Sequence, residues 1–266
     1  MSKKVIFFDI DGTIYVPQAN GISEKVKEAI RKTREKGHLC FIASGRPYGF
    51  ISNEVKEIGF DGYVLANGAN IRIHGKDLHT RFLNLDDLKE MIDHFKNDCV
   101  QYVLLTPNGC YVDKQYNELI ELLCTFNIDR KNFCFEFDEE TILPEVIKLE
   151  IGFEGHERFE RVKTYLNQFN YDVFEYKPGS YNLEVYSKDI SKSTGINDVR
   201  EYFQIKKENS YCFGDGPNDV EMFETVGHAI AMGNAIDELK ERATYITSDA
   251  DKDGIYNACK HFGWIE

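Results

Sequence analysis

Three polar clusters interrupt apolar stretches of this chain: Asp9-Ile10-Asp11-Gly12-Thr13, Ser44-Gly45-Arg46, and Gly214-Asp215-Gly216-Pro217-Asn218-Asp219. Each directly follows a β-prone run, at 5–8, 39–43 and 211–213. Runs of that kind are expected as buried strands of a parallel sheet, and such sheets bind ligands outside the carboxyl ends of their strands, so the clusters should converge. Lys192, in Ser191-Lys192-Ser193-Thr194-Gly195, is expected at the start of a helix, an end that favours anions. Convergence would gather four carboxylates, Asp9, Asp11, Asp215 and Asp219, which repel one another in a dry cleft. A hard divalent cation resolves that conflict, and oxygen ligands suit Mg2+. Ser44 offers a hydroxyl and neighbouring backbone N–H groups for phosphoryl oxygens, and Lys192 a fixed positive charge. Asp9 and Asp11 are two residues apart, so one can attack while the other handles protons. Taken singly each cluster is ordinary loop chemistry; the weight lies in the combination.

The elements that must position these residues alternate strand and helix in the first third. After the strand at 5–8, Ser23 is expected to cap a helix with Val26, Ala29, Ile30 and Thr33 on one face, closed by Gly37. The strand at 39–43, a helix through Val55 and Ile58, and a strand at 63–65 complete a βαβαβ pattern. The middle differs. Hairpins are expected at 71–73 with 78–82 around His74-Gly75-Lys76, at 102–105 with 110–112 around Pro107-Asn108-Gly109, and at Lys177-Pro178-Gly179-Ser180. Between them lie a helix from Asp86 with Leu88, Met91, Ile92 and Phe95, and one with Phe159, Val162, Leu166 and Phe169. The aromatics Tyr102, Tyr111, Phe135 and Phe137 are expected as core of this module. From Ser191 the alternation resumes, with a helix carrying Ile196, Val199 and Phe203, then strands at 211–213, 229–231 and 245–247. The fold class is therefore α/β, split by an α+β insert, with residues 1–82 and 186–266 on one side and 83–185 on the other.

Composition narrows the partners. A net charge of -13 argues against nucleic acid and anionic membrane surfaces, both of which call for basic faces. No apolar run approaches the roughly 20 residues of a membrane helix, and the N-terminal apolar run is short for a signal peptide, so a cytoplasmic protein is expected. Seven cysteines without zinc spacing read as reduced, mostly buried thiols. Two look-alike motifs fail on chemistry. Gly214-x-Gly216-x-x-Asp219 places Asp where a dinucleotide fingerprint needs a third Gly. Asp249-x-Asp251-x-Asp253-Gly254 opens like an EF-hand loop but has Lys260 where a bidentate Glu is required; Asp253 reads instead as a helix N-cap. The seven histidines are scattered and none is assigned a role.

Taken in order, Asp9-Ile10-Asp11-Gly12-Thr13, Ser44, Lys192 and Gly214 to Asp219 resemble the four motifs of the haloacid dehalogenase-like phosphohydrolases, and the insert resembles the large α+β cap of the Cof-like branch. Lys192 departs from the branch pattern, being followed by Ser193-Thr194-Gly195 where Gly commonly comes directly after the lysine. The resemblance implies a Rossmann-like parallel-sheet core split by an inserted α+β cap domain that sets specificity. It implies Asp9 as nucleophile and metal ligand, forming an aspartyl-phosphate. Asp11 would be general acid and base, giving the metal its backbone carbonyl; Asp215 would be a direct ligand of Mg2+, and Asp219 an indirect support. Ser44, Gly45, Lys192 and Asn218 would hold the phosphoryl group, with Arg46 at the cleft mouth. The activity implied is hydrolysis of small phosphorylated metabolites, sugar phosphates first and phosphorylated cofactors next, by a monomer or weak homodimer. The competing functions are a phosphomutase, which the scarcity of paired arginines in the insert disfavours, and a non-catalytic phosphate-ligand sensor, which the intact Asp9, Asp11, Lys192 and Asp215 disfavour.

Overall fold

The structure is a computed structural model that describes residues 2–16, 21–126, 128–175, 179 and 181–266. In chain order its elements begin with β1 (Val5–Phe8), α1 (Glu24–Glu35), β2 (Leu39–Ala43), α2 (Asn53–Ile58), β3 (Gly62–Leu65), β4 (Asn70–Ile73) and β5 (Lys76–Thr80). Next come α3 (Leu85–Asn97), β6 (Gln101–Leu105), β7 (Cys110–Val112), α4 (Asn117–Thr125), β8 (Phe133–Cys134), α5 (Glu139–Ile142), β9 (Lys148–Gly152), α6 (His156–Leu166), β10 (Tyr171–Glu175) and β11 (Asn182–Ser187). The chain closes with α7 (Lys192–Tyr202), β12 (Ser210–Gly214), α8 (Val220–Thr225), β13 (His228–Ala231), α9 (Asp237–Arg242), β14 (Tyr245–Ile246) and α10 (Gly254–His261). Two compact units result: Met1–Gly45, Ser52–His79 and Ser191–Glu266 form the first, Arg46–Ile51 and Thr80–Ile190 the second. No described helix is long and apolar enough to cross a membrane.

The first unit is built on a sheet ordered β14-β13-β12-β1-β2-β3-β4-β5. From β14 to β3 all pairs are parallel, and β4 then runs antiparallel to β3. Buried on both faces, β1 reads Val-Ile-Phe-Phe without alternation, as a helix-covered strand must. The chain leaves β1 for β2 on one side and later returns to β12 on the other. The order therefore reverses at β1 and β12, the switch point where such sheets bind ligands. In α1 the face expected from the sequence, Val26, Ala29, Ile30 and Thr33, is the buried one.

Three details depart from expectation. Ser23 stands at the N-cap of α1 but does not cap it; its hydroxyl donates to Asp253 Oδ1 at 2.6 Å. Asp253 precedes α10 in a left-handed conformation, makes no cap bond, and accepts from both Ser23 and Lys25 Nζ. Its carboxylate thus spans two helix starts and caps neither. The β4–β5 turn is tighter than expected, because His74 and Gly75 both take positive φ and the next strand begins at Lys76.

The second unit holds a sheet ordered β10-β11-β9-β6-β7-β8, mostly antiparallel, with one parallel pair between β7 and β8. Tyr102, Leu104, Leu149, Ile151, Leu183 and Val185 point to one face, where residues of α3 and α6 complete a core. Tyr111 and Phe137 pack against that core, and Phe135 against a second one around α4. Phe169 lies beyond the end of α6 yet still packs on the first core. The hairpin expected at Lys177-Pro178-Gly179-Ser180 joins β10 and β11, which pair antiparallel, but its turn falls outside the described residues apart from Gly179.

Charge is also buried in this sheet. Lys148, on β9, reaches Glu184 at 2.7 Å and Glu150 at 3.2 Å, and all three are at most 5% exposed. One ammonium cannot neutralise two carboxylates. Glu184 is the nearer partner, and burial, aided by the charge of Glu184 and opposed by that of Lys148, pushes the Glu150 carboxyl up to about 8. The folded chain therefore favours the protonated form of Glu150 more strongly than the unfolded chain does. A folded pKa above the unfolded one contributes stability that is complete below about 4.5 and is lost as pH rises toward about 8. Glu150→Gln mimics the protonated acid. The fall in thermal midpoint of the wild type between pH 5.5 and 8.5 should shrink by a few degrees in Glu150→Gln; identical pH profiles in the two proteins would refute the protonated Glu150.

Candidate active site

β1 and β12 are neighbours in register, Phe8 opposite Phe213, so the segments that follow them leave the sheet side by side. Asp9 continues β1 by donating its N–H to Phe213 O at 3.1 Å. The chain then folds back at once: the N–H groups of Thr13, Ile14 and Tyr15 all converge on Ile10 O, and Gly12 N bonds to Tyr15 O at 2.7 Å. That turn requires Gly12 at φ +81°, and also its missing side chain, because a Cβ there would lie 2.0 Å from Asp215 Oδ2. Gly214 serves the neighbouring loop in the same way, since a Cβ on it would meet Asp219 Oδ2 at 2.6 Å.

The carboxylates and the lysine form one connected group. Lys192 Nζ donates to Asp9 Oδ1 at 2.5 Å and to Asp219 Oδ1 at 2.7 Å, and all three side chains are nearly inaccessible. Asp219 Oδ2 accepts the backbone N–H groups of Asp215 and Gly216, at 2.9 and 3.1 Å. Both oxygens of Asp219 are thus engaged, and its work is to shape the 214–219 loop and hold Lys192. Asp215 Oδ1 accepts from the Thr13 hydroxyl at 3.0 Å. Asp9 and Asp215 each keep a second oxygen beyond these bonds, and ligand atoms of Asp9, Asp215 and Asp219 lie within 4.8 Å of one another.

The electrostatics follow from this crowding. Burial raises the Asp9 carboxyl well above the usual range; Lys192 pulls it down, while Asp219, Asp215 and Asp11 push it further up. Burial, then the charge of Asp219, raises Asp215 to about 7 against the hydrogen bond from Thr13. Burial opposes the charge on Lys192, yet Asp219 and Asp9 outweigh it and hold the ammonium above the ordinary lysine range. Three acids share one base, so the group carries excess negative charge. Hard oxygen donors with spare lone pairs fit a small divalent cation, with Asp9 and Asp215 the residues best able to hold it.

The remaining expected residues lie as follows. Lys192 opens α7, whose first turn is a capping box: Ser191 Oγ accepts from Thr194 N, and Thr194 Oγ1 accepts from Ser191 N. The departure at Ser193-Thr194 therefore supplies its own helix start. Ser44 is buried just past β2, with its N–H on Val64 O at 2.9 Å, and Gly45 is half-buried beside it. Asp11 is exposed. Asn218 is exposed too, with its Oδ1 folded over Gly216. Arg46, expected at a cleft mouth, belongs to the second unit and donates to the carbonyls of Phe50 and Phe126 at 3.1 and 2.8 Å.

Sequence reasoning left three residues unassigned. Thr13, inside the first cluster, orients Asp215. Asn234 follows β13, another carboxyl-end position; it donates to Gly12 O and accepts from Ala250 N, both at 2.8 Å. Asn67 follows β3, with its N–H on Ser44 O at 3.1 Å.

Gly12→Ala tests the packing of the first loop on Asp215. If this group holds Mg2+, the added methyl should displace that carboxylate and weaken the binding by about tenfold or more, with the fold retained. Calorimetric titration reads it, and an unchanged affinity would separate Gly12 from the metal-binding group.

The chain is similar to known proteins along its length. The Bacillus subtilis (strain 168) protein YkrA is 30% identical over the whole of both chains. The 5-amino-6-(5-phospho-D-ribitylamino)uracil phosphatase YitU of the same organism is 26% identical over 97% of each. Among solved structures, the HAD subclass IIB sugar phosphatase BT4131 superposes with a TM-score of 0.79 and 28% identity, over 99% of this chain and 100% of that one. The family model of the haloacid dehalogenase-like hydrolases matches residues 6–259, and the chain belongs to that family.

Proposed function

We propose that the protein is a Mg2+-dependent phosphomonoesterase that hydrolyses small phosphorylated metabolites through an aspartyl-phosphate on Asp9. The observation that carries this reading is the Lys192 bridge between Asp9 and Asp219 beside Asp215, at the carboxyl ends of β1 and β12. Family membership supports it, and so do relatives named as phosphatases.

In this reading an oxygen of Asp9 attacks phosphorus and the bond to the leaving oxygen breaks, with Asp11 giving that oxygen its proton. Water then attacks the same phosphorus and surrenders a proton to Asp11, which releases inorganic phosphate and restores Asp9. Exposure suits Asp11 to exchanging protons, whereas the buried Asp9 is held in one orientation by Lys192. Ser44, Gly45, Lys192 and Asn218 hold the phosphoryl oxygens. Asp9, Asp215 and the Asp11 carbonyl would hold Mg2+, which would supply positive charge against the transferring group. Residues 1–82 and 186–266 act as the catalytic core, and 83–185 as the specificity cap. Sugar phosphates head the substrates, in keeping with relatives that act on a ribityl phosphate and on sugar phosphates. Seven free thiols, four of them buried, suit a reducing cytoplasm.

Hydrolysis of p-nitrophenyl phosphate should therefore disappear in excess EDTA and return with Mg2+; full activity in EDTA would remove the metal from the mechanism. Asp9→Asn should abolish turnover and phosphoenzyme together. Asp11→Asn should still be phosphorylated by p-nitrophenyl phosphate, whose leaving group needs little acid help, but should hydrolyse the intermediate about 10²–10⁴-fold more slowly. Mass spectrometry after acid quench should then find phosphate on Asp9. Phosphate on another residue, or turnover by Asp9→Asn, would overturn the assignment.

A further inference from the structure

Between β3 and β4 the backbone does something costly. Ala66, Asn67 and Gly68 take φ of 48°, 55° and 99°, three consecutive residues on the left-handed side, all buried. Alanine is uncommon there, asparagine is tolerated, and glycine is unhindered. Buried strain of this kind persists only where its surroundings dictate it, and it gathers at functional sites.

The surroundings here are two parts of the proposed phosphoryl site. On one side the turn holds Ser44: Val64 O receives the Ser44 N–H at 2.9 Å, and Ser44 O receives the Asn67 N–H at 3.1 Å. The Asn67 side chain lies over Gly45, where a Cβ would stand 2.9 Å from Asn67 Oδ1, and that oxygen has no hydrogen-bond partner. On the other side the turn meets the start of α7 backbone to backbone. A Cβ on Gly68 would stand 2.3 Å from Ser191 O, and one on Gly195 would stand 3.2 Å from Gly68 Cα. Ser191 is the cap of the helix that Lys192 opens.

We propose that the left-handed turn Ala66–Gly68 is a positioning element that fixes Ser44 and Lys192 relative to each other, with Asn67 and Gly68 as positioning residues. The inference rests on the phosphatase reading for its consequence, not for its geometry. Asn67 serves through its backbone, because asparagine accepts the left-handed region and its Oδ1 makes no bond. Gly68 serves through the side chain it lacks, which lets the turn touch Ser191. A change that closes the left-handed region at Asn67, or adds a side chain at Gly68, then reaches both phosphoryl-binding segments at once, although neither residue contacts the reacting atoms.

Gly68→Ala and Asn67→Gly form the test pair, each compared with wild type for p-nitrophenyl phosphate hydrolysis, inhibition by inorganic phosphate, and hydrogen–deuterium exchange. In the folded fraction, Gly68→Ala should lose about tenfold or more in kcat and in phosphate affinity. Exchange should rise together at 43–45 and 191–195 and stay unchanged in β13 and β14. Asn67→Gly, which keeps the left-handed backbone open, should stay within about threefold of wild-type kcat. Wild-type phosphate inhibition in folded Gly68→Ala, or faster exchange in only one of the two segments, would overturn the proposal. Should Gly68→Ala fail to fold, Asn67→Val puts a β-branched residue at the strained position without adding atoms toward Ser191, and it is read by the same three measurements. A wild type with no phosphatase activity would defeat the enzymatic reading alone, because the exchange arm decides the geometry without it.

Discussion

One buried ammonium organises the first unit. Lys192 Nζ ties Asp9, at the end of β1, to Asp219, in the loop after β12, and through Asp219 it fixes the backbone N–H groups of Asp215 and Gly216. Removing one partner of such a buried pair typically costs about 3–5 kcal/mol, because the other charge is left uncompensated. The surrounding architecture follows from that constraint. A parallel switch-point sheet places two loop starts side by side, a capping box points the first residue of α7 inward, and two glycines clear space for carboxylates. Ion pairs this deep are weak contributors to net stability. Their value here lies in holding Asp9 in one orientation.

Much of this was legible in the sequence, because the strands of a parallel sheet announce themselves as unbroken apolar runs and the chemistry sits directly after them. Asp9, Ser44 and Asp215 stand directly after such runs, and Lys192 opens a helix, as the sequence leads one to expect. What escaped was decided by atoms distant in the chain. Nothing near Ser23 or Asp253 reveals that their side chains bond to each other, leaving each helix uncapped. Both have cap-forming chemistry, and only the pairing of α1 with α10 decides how it is used. Asn234 and Asn67 follow the same strand-end rule, yet asparagine after a strand is so common in turns that only the geometry singles them out. Arg46 adjoins Ser44-Gly45 in sequence, but its guanidinium answers to two carbonyls of the second unit.

The two buried lysines show how one electrostatic problem receives two solutions. Lys148 faces Glu150 and Glu184, and Lys192 faces Asp9 and Asp219 with Asp215 close by; each group has more acid than base. In the second unit all three residues are at most 5% exposed, and burial with the charge of Glu184 drives the Glu150 carboxyl toward its protonated form, which relieves the excess. In the first, Asp215 is only partly buried and Asp11 is exposed, so an ion can approach. On the proposed reading Asp9 is the nucleophile, and a proton there would block its attack. A cation neutralises the same excess while leaving the carboxylate oxygens ionised. On the proposed reading, the partial openness at Asp215, which would be a defect in a purely structural ion cluster, is what would let a metal meet the excess charge.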